Sequence, residues 1–321
     1  MKLVSRIATL LAALLLPLGS SAQTYPSHPV RLVVPFTAGS ATDILARTIG
    51  QKLQEYWGQP VVVENRPGAG GTIGESLVAK SVPDGYTLLV TSAAFAYNPS
   101  IYPSLNYSAE KDFVEVAPLA SQPNVLVVSP SLGIKSVAEL VQMARDKPGV
   151  MNFASAGIGS GTHINGEKFK LAAGIDAVHV PYKGTPEALT DTMTGRVSFF
   201  FSPISAALPH VREGKVLALA VSTGKRSSAL KGVPTIAESG VPGFDYSLWV
   251  AMFAPAGTPA DVVARIAADV ARASQTPEVR ERLTALGAEP MAVSGPELRK
   301  FVRDEIAESS KVIKAAGIKP Q

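Results

Sequence analysis

The chain has 321 residues, 30 Lys+Arg against 26 Asp+Glu, and a formal net charge of +4. The charges are dispersed with no Lys/Arg-rich run, so there is no electrostatic footprint for a nucleic-acid partner, and the weak positive balance favours an anionic small molecule only mildly. Cysteine is absent and the only histidines are His28, His163, His179 and His210, which excludes disulfides, thiol nucleophiles and Cys-based metal sites, leaves no HExxH pair for zinc, and points to a protein without metal or cofactor.

The amino terminus reads as an export signal. Lys2 and Arg6 give a positive start, Ile7 to Leu18 is apolar except for Thr9 and Pro17, and Ser20-Ser21-Ala22 places small residues before a cleavage expected after Ala22. The apolar stretch is shorter than the ~20 residues of a spanning helix. The remaining chain, about 300 residues, suffices for two domains and carries no further long apolar run. It is expected to be soluble and, in a bacterium with two membranes, periplasmic.

Strand and helix patterns then alternate. Val30 to Phe36 is rich in β-branched residues, and Thr42 to Trp57 has helical spacing through Ile44, Leu45, Ile49 and Leu53. Val61 to Glu64 is a second strand, followed by the glycine loop 65–71, a helix to about Lys80, a Pro83-Asp84-Gly85 turn and a third strand from Tyr86 to Thr91. This rhythm implies an α/β fold with a mostly parallel sheet and right-handed crossovers. A second series gives strands at Val125–Val128, Met151–Ser155, Ala177–Val180, Val197–Phe201 and Leu217–Val221. Its helices are Ser136–Arg145, with Ser136 as N-cap and Glu139 three residues on, and His163–Ala173, closed by Gly174. The tail reads as three helices, Pro259–Ala273, Pro277–Leu286 and Pro296–Ala315, each with Pro near its first turn and no strand between them. They are expected to coat a lobe already built. The predicted organisation is a signal at 1–22, a first lobe of 23–121 and 246–321, and a second lobe of 122–245, with crossings near 113–123 and 243–254.

Two strand-to-helix loops carry the functional signal. Phe36-Thr37-Ala38-Gly39-Ser40 runs into Thr42-Asp43, and Ser155-Ala156-Gly157-Ile158-Gly159-Ser160-Gly161-Thr162-His163 does the same about 120 residues later. Both lie at a strand's carboxyl end, where open α/β sheets bind ligands, and both lead to a helix N-terminus, whose unpaired N–H groups and dipole favour anions. A helix dipole contributes about 0.3–1 kcal/mol, a hydrogen bond to a charged group roughly 1.5–3 kcal/mol, and micromolar binding needs about 8 kcal/mol. One loop is too little; two loops closing on one carboxylate suffice. Ser40 with Asp43 is also a capping-box match, so Ser40 either caps its helix or meets the ligand, while Asp43 is assigned to capping. His163 either donates to a ligand or caps its own loop. Neither glycine loop completes a dinucleotide or P-loop fingerprint, and Ser160 lacks the G-x-S-x-G context of a hydrolase elbow, with His163 too close in sequence for a triad. A binding protein is favoured over an enzyme.

These blocks identify a family. Thr42-Asp43 after Val34-Pro35-Phe36, Glu64-Asn65-Arg66-Pro67-Gly68-Ala69-Gly70-Gly71, Pro83-Asp84-Gly85-Tyr86-Thr87, His179-Val180-Pro181-Tyr182-Lys183-Gly184 and Pro255-Ala256-Gly257-Thr258-Pro259 resemble the Bug proteins, the TctC-like substrate-binding subunits of tripartite tricarboxylate transporters. The resemblance implies a two-lobed flytrap fold of the type II periplasmic-binding class. It implies a small carboxylate ligand held between the loops Phe36–Ser40 and Ser155–His163, and delivery to membrane permease subunits. A sensor kinase is an alternative receiver, and an exported hydrolase a remote third reading. The chain departs from the family at Gly39-Ser40, where many members have Gly-Gly, and at Ser202, where many carry an Asp that meets an ammonium; the expected ligand therefore lacks a positive amine. Ser92 and Ala93, followed by Phe95 and Tyr97, are further cleft-wall candidates, and which of Phe199, Phe200 and Phe201 reaches the cleft is left open.

Overall fold

The computed structural model describes residues 25–291 and 293–321; the predicted export signal lies outside them. The first half builds on β1 (Val30–Val34), which runs parallel to both β2 (Val61–Asn65) and β3 (Thr87–Ser92), with Leu32 opposite Val63 on one side and Leu88 on the other. Between β1 and β2 lies α1 (Ala41–Trp57), which buries Leu45, Ile49 and Leu53 and ends at Gly58 in the left-handed conformation (φ 63°), its N–H donating to Gln54 O. Helix α2 (Thr72–Ala79) leads to β3, and α3 (Ala94–Ile101) follows it.

Strand β4 (Phe113–Val128) is 16 residues long and belongs to both halves. Its first part pairs antiparallel with β9 (Ser247–Pro255), which in turn pairs antiparallel with β3. Its last residues pair with β7 (Phe199–Pro203) on one edge and β8 (Leu217–Val221) on the other. Beyond β7 lie β5 (Asn152–Ser155) and β6 (Val178–Pro181), all parallel. The second half also contains α4 (Val137–Asp146), α5 (Gly161–Ala173), α6 (Thr185–Met193) and α7 (Ile204–Arg212). Ser136 caps α4 by accepting Glu139 N–H at 3.1 Å, and Gly174 closes α5 at φ 61°, both as predicted. The result is the expected α/β architecture, made mixed by β4 and β9.

The tail forms α8 (Ala260–Gln275), α9 (Pro277–Ala285) and α10 (Gly295–Ala315). The expectation of no strand among them is corrected: β10 (Glu289–Pro290) pairs with β4 at Ser121 and Ala120. A two-residue strand containing Pro carries no period to read, and only the free edge of β4 makes it one. Helix α8 packs on β4 and α1, and α10 on α3 and β4.

The three consecutive phenylalanines of β7 are all fully buried: Phe199 and Phe201 share a core with Phe153, Phe169 and Phe244, while Phe200 packs on the opposite face with Val125 and Leu208. A strand buried on both faces needs this unbroken apolar run.

Candidate functional site: a hydroxyl-lined cavity between two loops

Five strands of the two halves point their carboxyl ends at one place. Helices α1, α5 and α6 begin there at Ala41, Gly161 and Thr185, with Ser92 at the end of β3 and Pro203 at the end of β7. Together with Phe36, Ser40, Thr42, Ala156, Ser160, Thr162 and Leu248 they line a narrow cavity of about 20 Å³. Six of the lining residues carry hydroxyls and none is charged. An anion in this cavity would therefore meet hydroxyl donors and helix N-termini rather than a countercharge.

The first loop is held by Asp43. Its carboxylate accepts the Gly39 N–H at 2.9 Å and the Asn65 amide at 3.0 Å, and pairs with Arg47 at 2.9 Å. Burial alone would raise its pKa, but these hydrogen bonds and the guanidinium hold it below the usual carboxylate range. Asp43 thus braces the loop, as assigned. Ser40 stands at the N-cap position in extended conformation but its hydroxyl caps no N–H; it pairs instead with the Thr42 hydroxyl at 3.1 Å. The first turn of α1 consequently presents uncapped N–H groups at the cavity.

In the second loop Ser160 does cap, accepting His163 N–H at 3.2 Å, and its hydroxyl also meets Thr162 Oγ1 at 3.0 Å. Thr162 Oγ1 accepts the Ala156 N–H at 2.9 Å, tying the two ends of the loop together. His163 turns back into its own loop: Nδ1 accepts Gly159 N–H at 3.2 Å and the ring stacks on His179 at 3.9 Å between centroids. Burial, then the neighbouring His179 and Lys170, push its pKa down to about 2, and burial pushes His179 down to about 4. Both rings are neutral. Of the two roles open to His163, loop support is the one its contacts show.

The predicted residues separate into those that face the cavity and those that shape it. Phe36, Ser40, Ser92, Ala156, Ser160 and Thr162 line it. Gly39, Gly157 and Gly159, at φ 82°, 118° and 84°, give the loops their backbone. Thr37 lies at the outer rim, donating to Glu187 Oε2 at 3.1 Å, and Ala38 is exposed. Ala93 is packed in the core; Ser202, fully buried, donates to Pro203 O at 3.3 Å; neither lines the cavity. Ser155 is also fully buried, its Oγ 2.6 Å from His179 Nε2. This is the Ser/His pair that spacing did not predict, and its imidazole, stacked on Phe153 and His163, does not line this cavity. Sequence reasoning missed Ala41, Thr42, Thr185, Pro203 and Leu248, while Gly161 lies inside the expected loop Ser155–His163. The signal for Thr42 was present: Gly-Ser-x-Thr occurs in both loops. Thr185 and Leu248 had no such signal.

The model of the tripartite tricarboxylate transporter family receptor matches residues 45–318. This chain belongs to that family. It is 39% identical over 301 residues to the protein BugT of Bordetella pertussis (strain Tohama I), covering 93% of this chain and 92% of that one. Its fold is similar to that of an R. palustris protein solved with adipate (TM-score 0.89, 38% identity, 92% of this chain and 100% of that one). It is also similar to MatC from Rhodopseudomonas palustris with bound malate (TM-score 0.85, 35% identity, 90% and 100%). The family is one of transport receptors, binding proteins rather than enzymes, and its solved relatives include the periplasmic binding protein BugD.

Proposed function

We propose that the protein captures a small organic acid, a di- or tricarboxylate or an aromatic carboxylate, in the cavity between the two loops, and delivers it in the periplasm to the permease subunits of a tripartite tricarboxylate transporter. The observation that carries this is the pair of Gly-Ser-x-Thr loops facing each other across an uncharged, hydroxyl-lined cavity. Adipate and malate in similar proteins support the ligand class, and the family supports the permease as receiver. No observation favours a sensor kinase.

Capture by closure of two lobes, 23–121 with 246–321 against 122–245, is part of this reading. It is supported by the change of β4's partners from β9 to β7 and β8 at Pro123–Asn124. The second crossing is bound to the first there: Asn124 N–H donates to Ser222 Oγ at 2.9 Å and Tyr246 N–H to Ser222 O at 2.9 Å. Rim contacts between the two sides, Thr37 with Glu187 and Tyr102 Oη with Ile158 O at 3.0 Å, fit a closed form.

No carboxylate side chain lines the cavity, so a ligand ammonium has no partner there. A thermal-shift panel of adipate, malate, citrate, benzoate, aspartate and glutamate tests the assignment. An acid without an ammonium is expected to give the largest rise, roughly 5 °C or more at saturation. The largest rise with aspartate or glutamate, or none with any carboxylate, would overturn it.

A further inference from the structure

Outside the cavity, the second ligand loop is packed against the first half of the chain. Tyr102, just past α3, donates its hydroxyl to Ile158 O at 3.0 Å. Gly70 lies against the same carbonyl: a Cβ there would come 2.1 Å from Ile158 O and 3.3 Å from the Tyr102 hydroxyl. The two loop glycines beside Ile158 are also close. A Cβ at Gly157 would stand 3.5 Å from Gly70 N, and one at Gly159 would stand 2.8 Å from Asn98 Oδ1 and 3.4 Å from Tyr102 Cε2. Gly70, Tyr102 and Ile158 border a groove of about 470 Å³, and Ala156 lines both this groove and the ligand cavity.

The first half braces this seat from within. Glu75 in α2 is fully buried, and its carboxylate accepts the Thr91 hydroxyl at 3.1 Å, the Asn98 amide at 2.9 Å and the Tyr107 hydroxyl. Asn98 Nδ2 also reaches Gly70 O at 3.4 Å. A buried carboxylate is costly unless its lone pairs are used; here they fix Asn98 and, through it, the Gly70 turn. On the loop side, the peptide between Ile158 and Gly159 is held at both ends. Its carbonyl accepts from Tyr102, and its N–H donates to His163 Nδ1 at 3.2 Å. A trans peptide is planar with its C=O and N–H opposed, so holding both sets the plane. The next residue is Ser160, the N-cap of α5, which lines the cavity.

We propose that Tyr102, with Gly70 beside it, is a positioning residue of the ligand site: it takes the Ile158 carbonyl when the lobes close and so sets the second loop in its binding conformation from the opposite lobe. This rests on the carboxylate-capture and closure reading. Tyr102 does not line the cavity; it acts through the 158–159 peptide on Ser160. A ligand held by both loops and the Tyr102 contact stabilise the same closed form, so each strengthens the other by the same factor. Loss of the contact then shows as faster release of ligand, not slower capture.

The test is stopped-flow and calorimetric titration of adipate into the wild type, Tyr102→Phe, Gly70→Ala and Gly58→Ala. Tyr102→Phe is expected to bind adipate roughly 3–10-fold more weakly, with the change in the dissociation rate and the association rate kept. Its unliganded melting temperature should stay within about 2 °C of the wild type, while the rise on adding adipate shrinks. Gly70→Ala should lose at least about tenfold in affinity, because its Cβ meets the Ile158 carbonyl. Gly58→Ala is the control: φ is 63° there against 62° at Gly70, and its Cβ would meet nothing within 4 Å. It carries the same backbone strain and should keep the wild-type affinity. Wild-type affinity and release in Tyr102→Phe, or a melting temperature lowered equally with and without adipate, overturns the positioning role and leaves the capture reading standing. A wild type that binds no carboxylate overturns both. Should Gly70→Ala fail to fold, Tyr102→Phe decides alone.

Discussion

Gly39-Ser40-Ala41-Thr42-Asp43 and Gly159-Ser160-Gly161-Thr162-His163 are the same turn made twice with opposite chemistry behind it. The glycines share φ values of 82° and 84°. The serines share an extended N-cap conformation, with φ and ψ of −69° and 162° in one and −63° and 155° in the other. Each serine N–H reaches back three residues, to Thr37 O at 3.1 Å and Gly157 O at 3.0 Å. The fifth residue accepts the glycine N–H in both, through the Asp43 carboxylate in the first and the neutral His163 ring in the second. One turn further, Arg47 neutralises Asp43, whereas Glu167 stands 3.9 Å from His163. The shape of the turn is what recurs. The charge behind it changes from an ion pair to a neutral ring, so the ligand's charge is left to N–H groups and hydroxyls in front. The two also differ in capping: Ser160 satisfies His163 N–H while Ser40 satisfies none, which gives the first loop the larger share of free donors.

The comparison breaks most visibly under added charge. Ser40→Glu or Ser160→Glu places a carboxylate against the ligand's own and is expected to weaken adipate or malate binding by at least ~100-fold, equivalent to about 2.7 kcal/mol, in calorimetric titration; retained affinity in both variants would sink the loop assignment. Next in size is an asymmetry between the glycines. Both alanine variants carry the strain of a left-handed alanine, about 1–2 kcal/mol. A Cβ at Gly159 would also come 2.8 Å from Asn98 Oδ1, whereas at Gly39 it meets only Pro186 at 3.4 Å. Gly159→Ala should therefore destabilise by about 1 kcal/mol more than Gly39→Ala in urea unfolding.

The threonines sharpen the contrast further. Thr162→Val orphans the Ala156 N–H and is expected to cost about 1–3 kcal/mol, while Thr42→Val removes one hydroxyl contact and about 0.5–1.5 kcal/mol; equal losses would contradict the tie across the second loop.

The smallest effect is on pH. Lowered histidine pKa values mean that the folded state binds fewer protons than the unfolded one. Stability is therefore present above the ordinary value near 6.5 and falls as pH drops below it, by about 0.7 kcal/mol per histidine between pH 7 and 6. Asp43, also lowered, loses its contribution only as pH falls below the ordinary carboxylate range, about 3.9. Of the two loops, only the second responds between pH 7 and 5, and His163→Asn should reduce the loss of melting temperature on acidification in that window.

The strands β1 to β3, helices α1 and α5 and both glycine loops were legible because their signals are local: β-branched runs, helical spacing and glycine at positive φ. Strand β4 was legible only at its end. Pro118 and Pro123 interrupt its first part, and the register shifts beside Pro118 show how the pairing with β9 absorbs it. Helix α3 contains Pro99 and follows an alanine run, so neither its start nor its continuation was marked. At the site, serine and threonine in the loops were readable from spacing, whereas Thr185, Pro203 and Leu248 reach the cavity only through the crossings of the chain. Ser202 was read as a ligand contact, but its neighbour Pro203 holds the cavity face. His163 was readable as a helix-start residue, not as the counterpart of Asp43, because a ring and a carboxylate share no residue class until their common partner, a glycine N–H, is seen.

The claim that both loops act on one carboxylate is tested most directly by titrating adipate and malate into the wild type, Ser40→Ala, Ser160→Ala and the double variant. The account predicts that each single change weakens binding by roughly 5–30-fold, and that the pair shows a coupling of at least about 0.5 kcal/mol because the two hydroxyls share a ligand. A single variant that binds both acids as tightly as the wild type would contradict it.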